Sequence, residues 1–298
     1  RFITFTVVQK NRTDWAPAHL EVAWNQFALP SRKQVIAKSK PDNFFAMSVD
    51  ESGEIQIPFA YIAPELSLWR APTDNDRIGR FADKWEKFGL RDLNRTDCTI
   101  ADSRQSFKVV SDWETSTGIT VRQLQVVTPV TDGYSVKETI VLPKKLDDLP
   151  RIGISFEIDG ALSNYTYFGI GPHETYPDRK LGRISTWQST VADQYTPYVR
   201  PQENGGHAGV RWFTLTGDDG HGFRIDLDKP MQVSATPFRA SELADATHDV
   251  ELKASGNTIV HIDAAHRGLG TASCGPDTLP AYLVSGGTYS FAWTLRVI

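Results

Sequence analysis

Four segments carry the side chains whose types and spacing could do chemistry. The first, Leu68-Trp-Arg-Ala-Pro-Thr-Asp-Asn-Asp-Arg-Ile-Gly, sets Asp74, Asn75 and Asp76 in a row after Pro72. Three oxygen-bearing side chains suit a hard cation or sugar hydroxyls. The plainer reading, preferred on the pattern alone, is an Asx-rich turn whose side chains satisfy their own backbone. The second, Tyr167-Phe-Gly-Ile-Gly-Pro-His-Glu-Thr-Tyr-Pro-Asp-Arg, starts as a strand and becomes a loop carrying His173, Glu174, Asp178 and Arg179. His beside Glu suits proton transfer or hydroxyl binding. A hydrogen-bonded structural loop explains the same residues. Gly169-Ile-Gly leads into no helix, so a phosphate cradle is not expected there.

The third segment, Asp193-Gln-Tyr-Thr-Pro-Tyr-Val-Arg-Pro-Gln-Glu-Asn-Gly-Gly-His, interleaves aromatics with amides and acids. Carbohydrate recognition uses such mixtures, because sugars offer CH faces to rings and hydroxyls to amides. The same run also suits the packing of a long loop. The fourth, His266-Arg-Gly-Leu-Gly-Thr-Ala-Ser-Cys-Gly-Pro-Asp, makes an exposed, tightly turning loop around Ser273 and Cys274. A nucleophilic cysteine needs a base and an electropositive setting, which this segment does not supply. The pattern is not the Gly-x-Ser-x-Gly of a nucleophile elbow either.

The elements that must position these loops are strands. Alternating patterns run through 120–127, 134–142, 152–158, 210–215, 222–227 and 288–297. Turn signals separate them at Thr131-Asp-Gly, Gly217-Asp-Asp-Gly, Ser255-Gly-Asn and Ser285-Gly-Gly. Helical spacing is scarce. Phe81, Trp85 and Phe88 fall at i, i+4 and i+7 with Gly89 as a stop, and a short second helix is expected from Ser241 as its N-cap. Many short strands with few helices predict an all-β sandwich.

The chain has 298 residues, 40% hydrophobic and 23% charged, which is globular composition. Net charge is −4 with no basic stripe, so no nucleic-acid partner is expected. Cys98 and Cys274 stand far apart, which excludes a disulfide framework and zinc spacing and reads as two reduced thiols in a cytoplasmic protein. No apolar run reaches membrane length. The start, Arg1-Phe-Ile-Thr-Phe-Thr-Val-Val, has no initiator Met and no signal peptide, and it reads as the middle of a strand in a chain cut from something longer. Residues 31–42 are rich in Lys, Arg, Ser and Pro and read as a linker, which divides the chain into 1–30 and 31–298.

In order along the chain, Arg70-Ala-Pro-Thr-Asp-Asn-Asp, Gly169-Ile-Gly-Pro-His-Glu-Thr-Tyr-Pro-Asp-Arg, Tyr195-Thr-Pro-Tyr-Val-Arg-Pro-Gln-Glu-Asn-Gly and Gly268-Leu-Gly-Thr-Ala-Ser-Cys-Gly-Pro-Asp resemble the carboxy-terminal third of the large bacterial β-galactosidases of glycoside hydrolase family two. Val7-Val-Gln-Lys-Asn-Arg-Thr-Asp-Trp-Ala resembles the end of the immunoglobulin-like domain that precedes the last domain in that family. The resemblance implies a large antiparallel β-sandwich similar to galactose mutarotase. It also implies a partner, the barrel domain that holds the two catalytic glutamates of a retaining enzyme, with Mg²⁺ and Na⁺ used by the complete enzyme. No catalytic residue and no cofactor is therefore expected in this chain itself. Asp74, Asn75, Asp76, His173, Glu174, Ser273 and Cys274 are the residues expected to face sugar. In the best-known such enzyme the loop matching 268–277 carries a tryptophan that stacks on the sugar, and Cys274 falls nearest that position. The loop after Asp76 resembles one that moves when sugar binds, with Gly79 in its hinge region, and it reads as truncated before Phe81. The alternative is a self-sufficient mutarotase-type protein that binds or epimerises sugar, with His173 and Glu174 handling protons.

Overall fold

The computed structural model describes residues 1–30, 47–103 and 106–298. The linker expected over 31–42 lies outside the described residues. The chain forms two compact units, Arg1–Ser39 and Lys40–Ile298. In the first, β1 (Phe2–Val8) and β2 (Glu21–Ala28) pair antiparallel with Phe2 opposite Ala28. Alternation gives this hairpin apolar residues on both faces, and Phe5, Val7, Trp15, Val22 and Phe27 are exposed.

The second unit is all but entirely β. Its strands are β3 (Ser48–Val49), β4 (Ile55–Gln56), β5 (Ala60–Ser67), β6 (Leu93–Ser103), β7 (Ser106–Thr115), β8 (Thr120–Val130), β9 (Gly133–Val141), β10 (Arg151–Asp159), β11 (Asn164–Gly171), β12 (Arg183–Thr190), β13 (His207–Thr216), β14 (Gly222–Thr236), β15 (Asn257–His266) and β16 (Thr288–Val297). Among the described residues three α-helices accompany them, α1 (Asp74–Ile78), α2 (Phe81–Phe88) and α3 (Ala240–Asp245). Apart from the small β3-β4 pair, the strands join in one sheet ordered β12-β11-β13-β14-β16-β9-β8-β7-β6, with β15, β10 and β5 branching in turn from β14. The reason lies in β14. One of its edges pairs with β13 along the strand, while the other pairs with β16 over 223–227 and then with β15 over 232–236. The sheet forks there, and its two arms share one hydrophobic core.

Period-two alternation aims each strand. On β10, Ile152, Ile154, Phe156 and Ile158 enter the core, while Arg151, Ser155 and Glu157 lie on the opposite face. On β15, Val260 and Ile262 go inward, and His261 and Asp263 share the polar face. Helix α2 buries Trp85 as its spacing predicts, and Gly89 ends it in the left-handed conformation at φ 66°. Helix α3 begins one residue before the expected cap. Glu242 reaches back to the Arg239 N–H at 2.8 Å, so Ser241 is inside the helix rather than capping it.

Candidate functional site

Four loops meet around buried arginines. The loop after β5 turns into α1, whose N-cap Thr73 accepts from the Asp76 N–H at 3.2 Å while Asp76 accepts from the Thr73 N–H at 2.9 Å. The Asp76 carboxylate also takes two donors from the fully buried Arg70, at 2.8 and 3.1 Å. Asp76 was expected among the sugar ligands; it is a scaffold residue, because both oxygens are occupied and none of its surface is accessible. The segment after Asp76, expected as a truncated loop, is the last part of α1. Arg70 continues to the Arg267 carbonyl at 2.8 Å and so ties this turn to the fourth loop. Arg267 in turn binds Asp148 at 2.5 Å and Asp277 at 2.8 Å and sits over the Phe81 ring at 4.2 Å. Helix α2 backs the pair, with Arg70 5.3 Å from the Trp85 ring.

Asn75 joins the first and fourth loops directly. Its Nδ2 donates to the Gly270 carbonyl at 2.8 Å, and its Oδ1 accepts from the Ser273 N–H at 3.0 Å and from the Ser273 hydroxyl at 2.6 Å. Asp74 lies beside this clamp with its side chain half exposed, and its N–H donates to Gln202 Oε1 at 3.0 Å. In the fourth loop Cys274 is an exposed free thiol held in a turn, its N–H donating to the Thr271 carbonyl at 3.0 Å. Gly270 takes φ 65°, where a side chain would be strained and would press on Thr278. Asp178 secures the same loop by accepting from the N–H groups of Leu269 at 3.0 Å and Gly270 at 2.8 Å.

His173 and Glu174 do not make a free acid–base pair. His173 is exposed. The Glu174 carboxylate is almost wholly buried and takes donors from Arg179 at 3.2 Å, the Gly205 N–H at 3.0 Å, Tyr176 and Tyr198. A carboxylate so filled organises the third loop against the second and leaves no lone pair for a proton or a sugar hydroxyl.

Below the loops lies a charge cluster that sequence reasoning did not find. Strand register sets Arg151 opposite His266, and Arg151 reaches Glu203 at 2.8 Å and Asp263 at 3.4 Å, all buried. Burial alone would raise the Glu203 pKa. The charge of Arg151, with His266 beside the carboxyl at 3.7 Å, outweighs that and holds the carboxyl well below the usual carboxylate range. Burial pushes Asp263 upward against the pull of Arg151, and it keeps His261 neutral by lowering its pKa, with the Arg151 charge adding to the effect. Among the described residues, no group of three or more His, Cys, Asp or Glu side chains is placed to hold a metal ion.

With this geometry in view, the comparisons are specific. A family model described as "Beta galactosidase small chain" matches residues 46–295, and the chain belongs to that family. A β-galactosidase of Priestia megaterium is 28% identical over 99% of this chain and 31% of its own length, and one of an Arthrobacter species is 27% identical over 94% and 32%. A β-galactosidase of Lactobacillus delbrueckii subsp. bulgaricus is 31% identical over 70% of this chain and 21% of its own length. The chain thus spans about a third or less of these relatives. Among solved structures, a putative aldose 1-epimerase of Escherichia coli K12 aligns over 68% of each chain at 12% identity and TM-score 0.35. A galactose mutarotase-like protein of Lactobacillus casei covers 68% of this chain and 73% of its own at 14% identity and TM-score 0.33. The all-β assignment rests on the strands themselves. Among the described residues no helix is long and apolar enough to cross a membrane.

Proposed function

We propose that this chain is the non-catalytic carboxy-terminal part of a retaining β-galactosidase, which hydrolyses terminal β-D-galactosides, and that its loops shape the sugar site beside a barrel domain. The carrying observation is the Asn75 clamp on Ser273. It joins two loops and leaves Asp74 and Cys274 exposed on either side of the junction. These short, turn-locked groups suit sugar hydroxyls at a rim.

The carboxylates support an accessory role. Retaining hydrolysis uses a nucleophile and an acid set roughly 5 Å apart. Here Glu174 and Glu203 are each committed to arginine, as is Asp76. In this reading the Mg²⁺ and Na⁺ of the complete enzyme belong to the rest of it. The β1-β2 hairpin, taken by itself, carries apolar residues on both faces, and a two-stranded hairpin alone is marginal, which favours a larger assembly. Exposed Cys274 as a free thiol accords with a cytoplasmic setting. The epimerising alternative loses its proton-handling pair with the commitment of Glu174.

The test is direct. The purified chain should fold and give no turnover of nitrophenyl β-galactoside, while addition of the barrel-bearing remainder should restore it. Turnover by the chain alone, abolished by a substitution within it, would overturn the assignment.

A further inference from the structure

Six large apolar side chains of the second unit are more than half exposed among the described residues: Tyr61, Ile78, Leu181, Val199, Val250 and Leu279. Single bare aliphatics are ordinary on a protein surface. Their distribution here is not. Ile78 closes α1 in the first loop, Leu181 follows the second, Val199 sits in the third and Leu279 follows the fourth. Each of the four loops thus presents one aliphatic side chain to water.

The fold gathers these four. The first and fourth loops leave β5 and β15 beside the start of β10, where Ser67 is opposite Gly153 and His266 is opposite Arg151. The second leaves β11 and the third enters β13, its antiparallel neighbour. Side chains then tie the loops together. Asp178 of the second holds the N–H groups of Leu269 and Gly270 in the fourth, and Tyr198 of the third donates to Glu174 of the second. Arg77 donates to the Pro201 carbonyl at 3.3 Å, which joins the helix of Ile78 to the stretch of Val199. Between Lys180 and the 281–284 segment runs a groove of about 390 Å³ that Met231, Leu283 and Val284 make apolar. Of its charged residues only Lys180 is exposed, Asp263 and His266 being buried. Leu181 adjoins Lys180, and Leu279 begins the turn that supplies the other wall, its carbonyl accepting from the Tyr282 N–H at 2.9 Å.

We propose that these loop tips are the docking face for the rest of the enzyme, with Ile78, Leu181, Val199 and Leu279 as apolar anchors. The occupant rests on the reading of this chain as part of a longer β-galactosidase: about two-thirds of the length of the relatives lies outside the matched stretch. Convergent bare aliphatics in polar surroundings are what a protein interface shows before it is covered. The neighbouring charges give the chemistry of the opposing face. Lys180 stands beside Leu181 and Arg200 beside Val199; both are exposed, and neither joins an ion pair among the described residues. The acids nearby are matched, Asp74 by Arg77 at 3.6 Å and Asp277 by Arg267 at 2.8 Å. The opposing face therefore offers apolar recesses rimmed by carboxylates.

The test is hydroxyl-radical footprinting, which oxidises aliphatic side chains according to their exposure and needs no substitution. The chain alone and the complete enzyme that contains it are oxidised side by side and read by peptide mass spectrometry. Oxidation of the four anchors should slow about tenfold or more in the complete enzyme, since covered positions react only through local opening. Tyr61 and Val250 should react as they do in the chain alone. Lys180→Glu combined with Arg200→Glu in the complete enzyme should raise the reactivity of Leu181 and Val199 severalfold. Anchors equally reactive in both forms, or protected no more than Tyr61 and Val250, would overturn the proposal. Unchanged protection under the charge reversal would overturn the carboxylate rim. A complete enzyme that hydrolyses β-galactosides with its anchors unprotected sinks the docking face alone. One that protects them without hydrolysis sinks the functional reading and leaves the docking face standing.

Discussion

Asn75→Ala should free the Cys274 loop without unfolding the protein. The side chain makes three hydrogen bonds to that loop, two through Ser273 and one through Gly270. Neutral hydrogen bonds contribute about 0.5–1.5 kcal/mol each, and partial exposure of Asn75 and Ser273 places these in the lower half of that range. Their sum is about 1.5–3 kcal/mol, a factor of roughly 13–160 in a local opening equilibrium. The loop base stays anchored, because Asp178 still holds the N–H groups of Leu269 and Gly270, and Arg267 still holds Asp277. Native-state hydrogen exchange resolves the two levels. The Ser273 amide should exchange tens of times faster in the variant, with the Gly270 amide and the β10 amides little changed. An unaltered Ser273 rate, or a uniform acceleration of all amides, would refute the account of Asn75 as a local clamp.

The buried acids give opposite pH signatures. Glu203 has its folded pKa depressed, so its stabilisation is present above the unfolded value and lost as pH falls; Glu203→Gln should cost about 3–5 kcal/mol at neutral pH in urea unfolding, with the gap closing below about pH 4. Glu138 is buried against Gln123, Gln125 and Trp293, and burial raises its pKa. Its contribution is therefore present below the unfolded value and lost as pH rises, so Glu138→Gln should gain stability relative to the parent between about pH 4 and pH 7; a pH-independent difference would contradict this. Cys274 is exposed, so a ring has room there: in the complete enzyme Cys274→Trp should lower KM for disaccharides by at most the roughly 1–3 kcal/mol of an aromatic stack. Labelling of Cys274 by a thiol reagent, indifferent to a galactoside inhibitor, would remove it from the site.

What the sequence disclosed follows from the range of the forces involved. Helix α2 was legible because Phe81, Trp85 and Phe88 share one face and Gly89 supplies the stop within a few residues. The strands were legible from their period of two. Asp76 was misread because the same Asp-Asn-Asp spelling serves a solvent-facing ligand or a capping box, and only Arg70 folded back over the turn decides. Asp178 was seen but not ranked, since its partners lie 91 and 92 residues onward. The Arg151–Glu203–His266 cluster draws on three separate elements, and no local pattern encodes such a meeting.

The position of β16 has a consequence for how the chain is made. This last strand lies between β9 and β14 in the middle of the sheet rather than at its rim. Until it emerges from the ribosome, β9 and the first half of β14 present unpaired backbone edges, the kind that recruit other chains. The long sequence separations across the fork, as between β5 and β10, slow closure further. The sheet is thus sealed only once β16 has been made, and a nascent chain paused short of β16 should be a client for chaperones.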